Sequence, residues 1–178
     1  HLGRHIPGNP TVIVQNMPGA ASVKATNYLY NATPKSGVYV GTFLNNIVLN
    51  KMLGGSARYD PVGFNWLGRV GESATFLAVW HTSPVRTIAD AKQHEVVVAA
   101  TGATGHSAIV PWALNRMLDT KFKVVTGYKS SAAAALAMEQ GEATALGTVS
   151  WPVLAQGKPE WLAKKQVTLL YVNDISRH

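Results

Sequence analysis

Cysteine is absent from the 178 residues and acidic side chains are scarce, nine Asp and Glu against sixteen Lys and Arg, for a formal net charge of +7. Without cysteine there is no disulfide framework, no thiolate nucleophile and no zinc or iron–sulfur site built on sulfur. No apolar run approaches the roughly 20 residues of a membrane-spanning helix, so no direct membrane insertion is expected. Disorder is excluded too, because 47% of the residues are hydrophobic and only 14% charged, enough apolar surface to build a core. The basic residues are scattered apart from Lys164-Lys165. They form no stripe interleaved with aromatics of the kind nucleic-acid binders use, so nucleic acid is not an expected partner. The surplus of positive charge reads as a surface that mildly favours anions. An initiator Met and a signal-peptide core are also missing. The opening HLGRHIPGNP and the closing VTLLYVNDISRH read as the ends of an excerpt from a longer protein.

What is present is an alternation of strand and helix patterns. Residues 11–16 (TVIVQN), 38–44 (VYVGTFL), 64–70 and 75–80 read as short strands. A helix follows from Ala21 to Ala32 and stops at Pro34, and a second is expected over 47–53 before Gly54-Gly55. Residues 81–84 read as a crossover linker, and Thr87 as the cap of a short helix over 88–93. The second half repeats the rhythm: a buried strand at 95–100 (EVVVAA), then a helix with Val110, Ala113, Leu114, Met117 and Leu118 on one face. Pro111 belongs in a first helical turn, which places that helix start between His106 and Val110. A strand at 122–126, a helix capped by Ser130 or Ser131 and ended by Gly141, a strand at 143–148, a helical stretch at 151–162 and a strand at 166–172 complete the order. Such alternation predicts an α/β fold with mostly parallel sheets. The Pro/Gly-rich middle, from 54 to 84, divides it into two lobes, residues 1–80 and 81–178.

The strongest local signal for chemistry is Thr101-Gly102-Ala103-Thr104-Gly105-His106-Ser107, between a buried strand and a helix. Glycines permit the sharp turn, and the free N–H groups of a helix start favour an anion. A second loop of the same kind, Asn16-Met17-Pro18-Gly19-Ala20-Ala21-Ser22, follows the first strand. Two such loops can face each other across a cleft at the carboxyl ends of their strands and hold one anion from both sides. Thr101, Gly102, Gly105 and Ala108 also match the TGxxGxx[GA] dinucleotide fingerprint of extended short-chain dehydrogenases. That alternative, an NAD(P)-dependent oxidoreductase, lacks an acid after the next strand to hold a ribose and lacks any Tyr-x-x-x-Lys pair. Metal binding at His1 and His5 lacks a neighbouring acid, and Ser107 and Ser150 lack a nucleophile elbow. Among the five tryptophans, Trp151 stands open between packing and ligand stacking, because it follows the strand end at 148–150.

The run HIPGNPTVIVQNMPGAASVKATNYLYNATPKSGVYVGTF, with Tyr59-Asp60-Pro61, Phe64-Asn65-Trp66-Leu67-Gly68, Ser83-Pro84-Val85-Arg86-Thr87 and Met138-Glu139-Gln140-Gly141-Glu142, resembles the solute-binding receptors of tripartite tricarboxylate transporters, the Bug family. The resemblance runs through nearly the whole chain in order. It implies a two-lobed, type II periplasmic-binding-protein architecture with the first lobe truncated. It also implies a receptor that is not an enzyme, works in the periplasm without a cofactor or metal, and captures a small di- or tricarboxylate for membrane permease subunits. Carried over by position, the ligand-facing residues are Pro18, Gly19, Ala20 and Ser22 in the first lobe, and Thr101, Gly102, Thr104, Gly105, Ser107, Tyr128, Thr148 and Ser150 in the second. Ala21 stands where members commonly have glycine, so a positive φ is not expected there. Lys35-Ser36-Gly37 stands where Lys-Asp-Gly is common and reads as a harmless turn change.

Overall fold

The computed structural model describes residues 2–71 and 73–173; His1, one of the pair considered for metal, and the polar tail after 173 lie outside them. One five-stranded sheet organises the second half. Its strands are β1 (Thr75–Trp80), β2 (Val96–Ala100), β3 (Phe122–Thr126), β4 (Ala145–Ser150) and β5 (Val167–Asn173), in the order β3-β2-β4-β1-β5. β2 pairs in parallel with β3 and β4, while β1 runs antiparallel to both β4 and β5. Four strands therefore point one way and β1 the other, which matches the mostly parallel α/β expectation. β1 lies on the first-lobe side of the boundary expected at 80/81, yet it is hydrogen-bonded into this sheet between β4 and β5. Residues 81–84 accordingly form a turn, closed by Ser83 N–H donating to Trp80 O at 3.0 Å, rather than a link between lobes.

Both faces of the sheet are covered, which is why β2 reads VVVAA with no polar alternation. Successive β1 residues divide between the faces, as a period of two requires. Leu77 and Val79 pack with Val96, Val98, Ala91 of α2 (Ile88–Gln93) and Leu114 of α3 (His106–Leu118). Ala78 and Trp80 pack with Ala99, Leu146, Trp161 and three residues of α4 (Ser131–Glu139): Ala134, Ala135 and Met138. The caps fall where the sequence placed them. Thr87 and Asp90 form a reciprocal capping box on α2, and Ser130 Oγ accepts from Ala133 N–H at 3.1 Å. Gly141, just beyond α4, sits at φ 83, a left-handed stop that glycine adopts without strain.

The first half departs further from expectation. The runs 11–16, 38–44 and 64–70 are not strands. β-branched side chains favour extended backbone, but a strand exists only by pairing, and no partner meets these runs among the described residues. Most of their apolar residues face outward, Ile13 at 86% and Val70 at 94% exposure, while Phe43 and Phe64 turn inward. The expected helix at 47–53 is a 3-10 turn, Asn45–Val48, followed by further turns. Only α1 (Val23–Asn31) is helical as predicted. A small aromatic core holds this half together. Phe64 meets Tyr30, Phe43, Tyr59 and Trp66 with ring centroids 5.2–6.3 Å apart, and the buried Tyr59 hydroxyl donates to Ile47 O at 2.9 Å. α3 begins at His106, at the edge of the expected range for its start, but Pro111 is then its sixth residue and lies beyond the first turn expected for it. The missing N–H leaves the Ser107 carbonyl outside the helix ladder. That carbonyl lies against Gly147 of β4, where any Cβ would collide with it.

One polar clasp closes the outer face. α5 (Pro159–Ala163) and the single π turn before it, Val153–Gly157, are tied back to α4 through Glu139. Its Oε1 accepts from Lys158 Nζ at 2.7 Å and from Trp161 Nε1 at 2.9 Å. The Lys158 ammonium holds the Glu139 carboxyl below the usual carboxylate range; burial opposes this and the Trp161 indole adds to it. A depressed folded-state pKa stabilises fully above the unfolded value, about 4.3, and is lost as pH falls through the folded one. Glu139→Gln should therefore cost about 1–2 kcal/mol at pH 7, with the gap to the parent closing below about pH 4. Urea denaturation of both proteins at the two pH values checks this, and an undiminished gap at low pH would refute the charged clasp.

Candidate functional site

The order of connections singles out one place. β2 leads through α3 to β3 on one flank, and β3 leads back through α4 to β4 on the other flank of β2. Ligands of open α/β sheets bind where the connection changes side, beyond the carboxyl ends of the strands. Here that point lies above β2 and β4, where residues 101–105 enter α3.

The loop is drawn tight by its own polar groups. Gly105 N–H donates to Gly102 O at 3.0 Å. Ser107 Oγ accepts from Thr101 N–H at 3.2 Å and lies 3.4 Å from Thr101 Oγ1. The Ser107 hydroxyl is therefore a brace for the loop; the residue before α3 is Gly105, and it makes no side-chain cap. The first N–H groups of α3 have no partner within the helix.

The turn from Gly19 to Ser22 faces this loop in an unusual conformation. Gly19 has φ 133, and Ala20, Ala21 and Ser22 follow at φ 49, 49 and 74. The expectation for Ala21 is thus corrected: it adopts the positive φ that its Cβ disfavours. Left-handed backbone at a non-glycine residue costs on the order of 1–3 kcal/mol and persists only where neighbours over-determine it. The neighbours here are Asn46 Nδ2, donating to Ala21 O at 3.2 Å, Leu44 N–H, donating to Ser22 Oγ at 3.3 Å, and Thr26 Oγ1, donating to Ser22 O at 2.9 Å.

The two turns touch. A Cβ on Gly102 would lie 3.2 Å from the Ala20 carbonyl carbon, and one on Gly105 would lie 2.8 Å from Ala21 Cβ. Beside the contact is a cavity of about 240 Å³ walled by Ala20 and Val23, by residues 53–56 and by 102–104. Its volume falls below the roughly 300–1,000 Å³ typical of drug-sized ligands. No charged side chain lines it; its polar side chains are the hydroxyls of Thr104 and Ser56, while the amides of Val23, Leu53, Gly54 and Gly55 already donate within their own turns.

Of the expected site residues, Ala20, Gly102 and Thr104 line this cavity. Gly19 and Ser22 shape the turn behind it, Pro18 precedes that turn, and Thr101, Gly105 and Ser107 shape the opposing loop. Tyr128 lies elsewhere, beside a shallower hollow of about 220 Å³ at 125–128. Thr148 and Ser150 sit in the last residues of β4, where Ser150 pairs with Thr75 across from β1. Trp151, half exposed, meets Phe76 at 6.1 Å between ring centroids and lies outside the cavity wall. Sequence reasoning missed Val23, Ala103, Asn50 and the whole wall at 53–56. Gly54-Gly55 read only as a helix end, although Gly54 at φ 70 marks a turn that other residues adopt poorly.

Comparison with known proteins places the fold. No family model matches the chain, and no curated protein does. Solved structures do match. One is described as a periplasmic transporter, with TM-score 0.76 and 16% identity over 93% of this chain and 56% of that one. A second is the periplasmic binding protein BugD, at 0.69 and 15% over 94% and 56%. A third is a TctC solute-binding protein from Polaromonas solved without ligand, at 0.55 and 19% over 74% and 45%. The fold is that of the periplasmic solute-binding proteins. The expectation drawn from the Bug resemblance is borne out at the level of fold, and the chain spans a little over half the length of the first two of these structures. Within this solute-binding fold the dinucleotide alternative loses its footing, because Ala20 and Ala21 cover the faces of Gly102 and Gly105 that a pyrophosphate would need to approach.

If the touching turns define the site, Gly105→Ala will push them apart at a cost of about 1–3 kcal/mol, a fall of several degrees in Tm. Adding Ala21→Gly removes the atom struck and relaxes a strained φ, so the double variant should recover most of the loss. Thermal unfolding of the three variants decides it, since simple addition of the two effects would place the clash elsewhere.

Proposed function

We propose that this chain forms the ligand-binding part of an extracytoplasmic receptor that captures a small carboxylate and passes it to the membrane permease subunits of a tripartite tricarboxylate-type transporter. The observation that carries the reading is the cavity between the turn at 19–22 and the loop at 101–105, lined by backbone, small apolar residues and the hydroxyl-bearing Ser56 and Thr104, and lacking any charged side chain. A carboxylate suits such a wall. Backbone amides and hydroxyls give it charge-assisted hydrogen bonds, and the N-terminus of α3 adds favourable potential. The net charge of +7 would draw anions toward the surface before the neutral donors select among them. Ala20, Gly102 and Thr104 would meet the ligand, with Pro18, Gly19, Ser22, Thr101, Gly105 and Ser107 setting the two turns. Tyr128, Thr148 and Ser150, in this reading, approach only if the ligand extends beyond the cavity. Closure of one half on the other would be favoured by a ligand that bridges both turns.

Thermal unfolding with di- and tricarboxylates, amino acids, NAD and NADP tests the proposal. A carboxylate at a hundred times its Kd adds about 2.7 kcal/mol, a rise of roughly 5–11 °C at this chain length. Stabilisation by NAD or NADP alone would reverse the conclusion in favour of the oxidoreductase.

A further inference from the structure

Asn50 is the least expected residue near the cavity, because it lies 54 positions before the loop it touches. Its side chain is buried, with 1% of the residue exposed, and both ends of its amide are engaged. Oδ1 accepts from Ala57 N–H at 2.9 Å, and Nδ2 donates to Thr104 Oγ1 at 2.5 Å. The backbone amide of Ala57 can only donate, so the carbonyl end of the side chain must face it. The donor end must then face Thr104.

A threonine hydroxyl has lone pairs to accept with and a single proton to give. Because Asn50 arrives as a donor, the Thr104 oxygen is held as an acceptor and its proton must point elsewhere. Thr104 makes no other hydrogen bond among the described residues, and it lines the cavity. We infer that Asn50 is a positioning residue for ligand binding: Ala57 fixes its amide, the amide occupies the Thr104 lone pair, and the hydroxyl proton is thereby presented to an anionic oxygen in the cavity. This rests on the carboxylate reading above and deepens it, since the site then offers Thr104 as a committed donor and selects ligands that accept. Gly55 belongs to the same device. A Cβ there would run into the Asn50 amide, so the glycine keeps open the space in which that amide lies.

The test is a cycle read by calorimetric titration with succinate and citrate as probes. Asn50→Ala should weaken binding about tenfold, the scale of one lost hydrogen-bond contribution, in the parent and in Thr104→Ser, which keeps the hydroxyl. In Thr104→Val, which has no proton to direct, the same change should alter Kd less than twofold. Gly55→Ala displaces the amide without deleting any hydrogen-bonding atom and should reproduce the pattern; it decides the matter if Asn50→Ala fails to fold. Ligand-free unfolding of each variant separates structural damage from lost positioning. An equal loss with and without the Thr104 hydroxyl, or no loss in either, overturns the role of Asn50 while leaving the receptor reading intact. No binding of any carboxylate by the parent chain would instead overturn the receptor reading, and this inference with it.

Discussion

The approach of two backbones depends on residues that have no side chain to interpose. Gly102 and Gly105 lie directly against Ala20 and Ala21, and a single added carbon at either would press on the opposing turn. A similar constraint acts beneath the loop, where Gly147 admits the Ser107 carbonyl that Pro111 has left without a helical partner. The proline and the glycine compensate each other. An internal proline ordinarily weakens a helix, yet here the freed carbonyl fits against the one strand residue that leaves room for it. The height of α3 above β4 is set by that fit, and with it the position of the loop that opens α3.

The second half of the fold was legible because its elements are locally determined. A buried parallel strand announces itself as VVVAA, and Thr87 and Ser130 announce helix starts because their side chains satisfy amides two or three residues on. The first half was misread for the opposite reason. β-branched runs at 11–16 and 38–44 have strand composition, but composition does not supply a partner, and pairing is a property of the assembled sheet. At the site, the glycine loops were visible as sequence patterns. Asn50 was not, since its role depends on meeting Thr104 across 54 residues, a separation that no periodicity records. The strain at Ala21 was read with the wrong sign: a Cβ does disfavour positive φ, but Asn46, Leu44 and Thr26 impose it through three hydrogen bonds.

Charge in this protein acts away from the cavity. The ion pair of Glu139 with Lys158 braces the outer helices, a surface pair joins Lys123 to Glu95, and Arg86 is spent on the carbonyls of His81, Ser83 and Val85 at the turn after β1. The cavity wall carries no charged side chain, and its polar side chains are the hydroxyls of Ser56 and Thr104. In the proposed receptor that division would favour ligands by the geometry of their acceptor oxygens more than by the size of their charge, with the apolar walls at Val23 and Leu53 left to meet a carbon skeleton.

The three hydrogen bonds that hold the strained turn also bear on how the halves meet. Leu44, Asn46 and Thr26 all belong to the first half, so the left-handed course through Ala20, Ala21 and Ser22 is imposed without help from the loop at 101–105. The strained conformation is a property of that half alone. On the receptor reading its amides would be oriented before any closure, and closing would add the van der Waals contact with Gly102 and Gly105 and the Asn50–Thr104 hydrogen bond. A ligand of the proposed receptor, entering between the halves, would then spend little of its binding free energy on ordering the turn, leaving more to favour a closed arrangement.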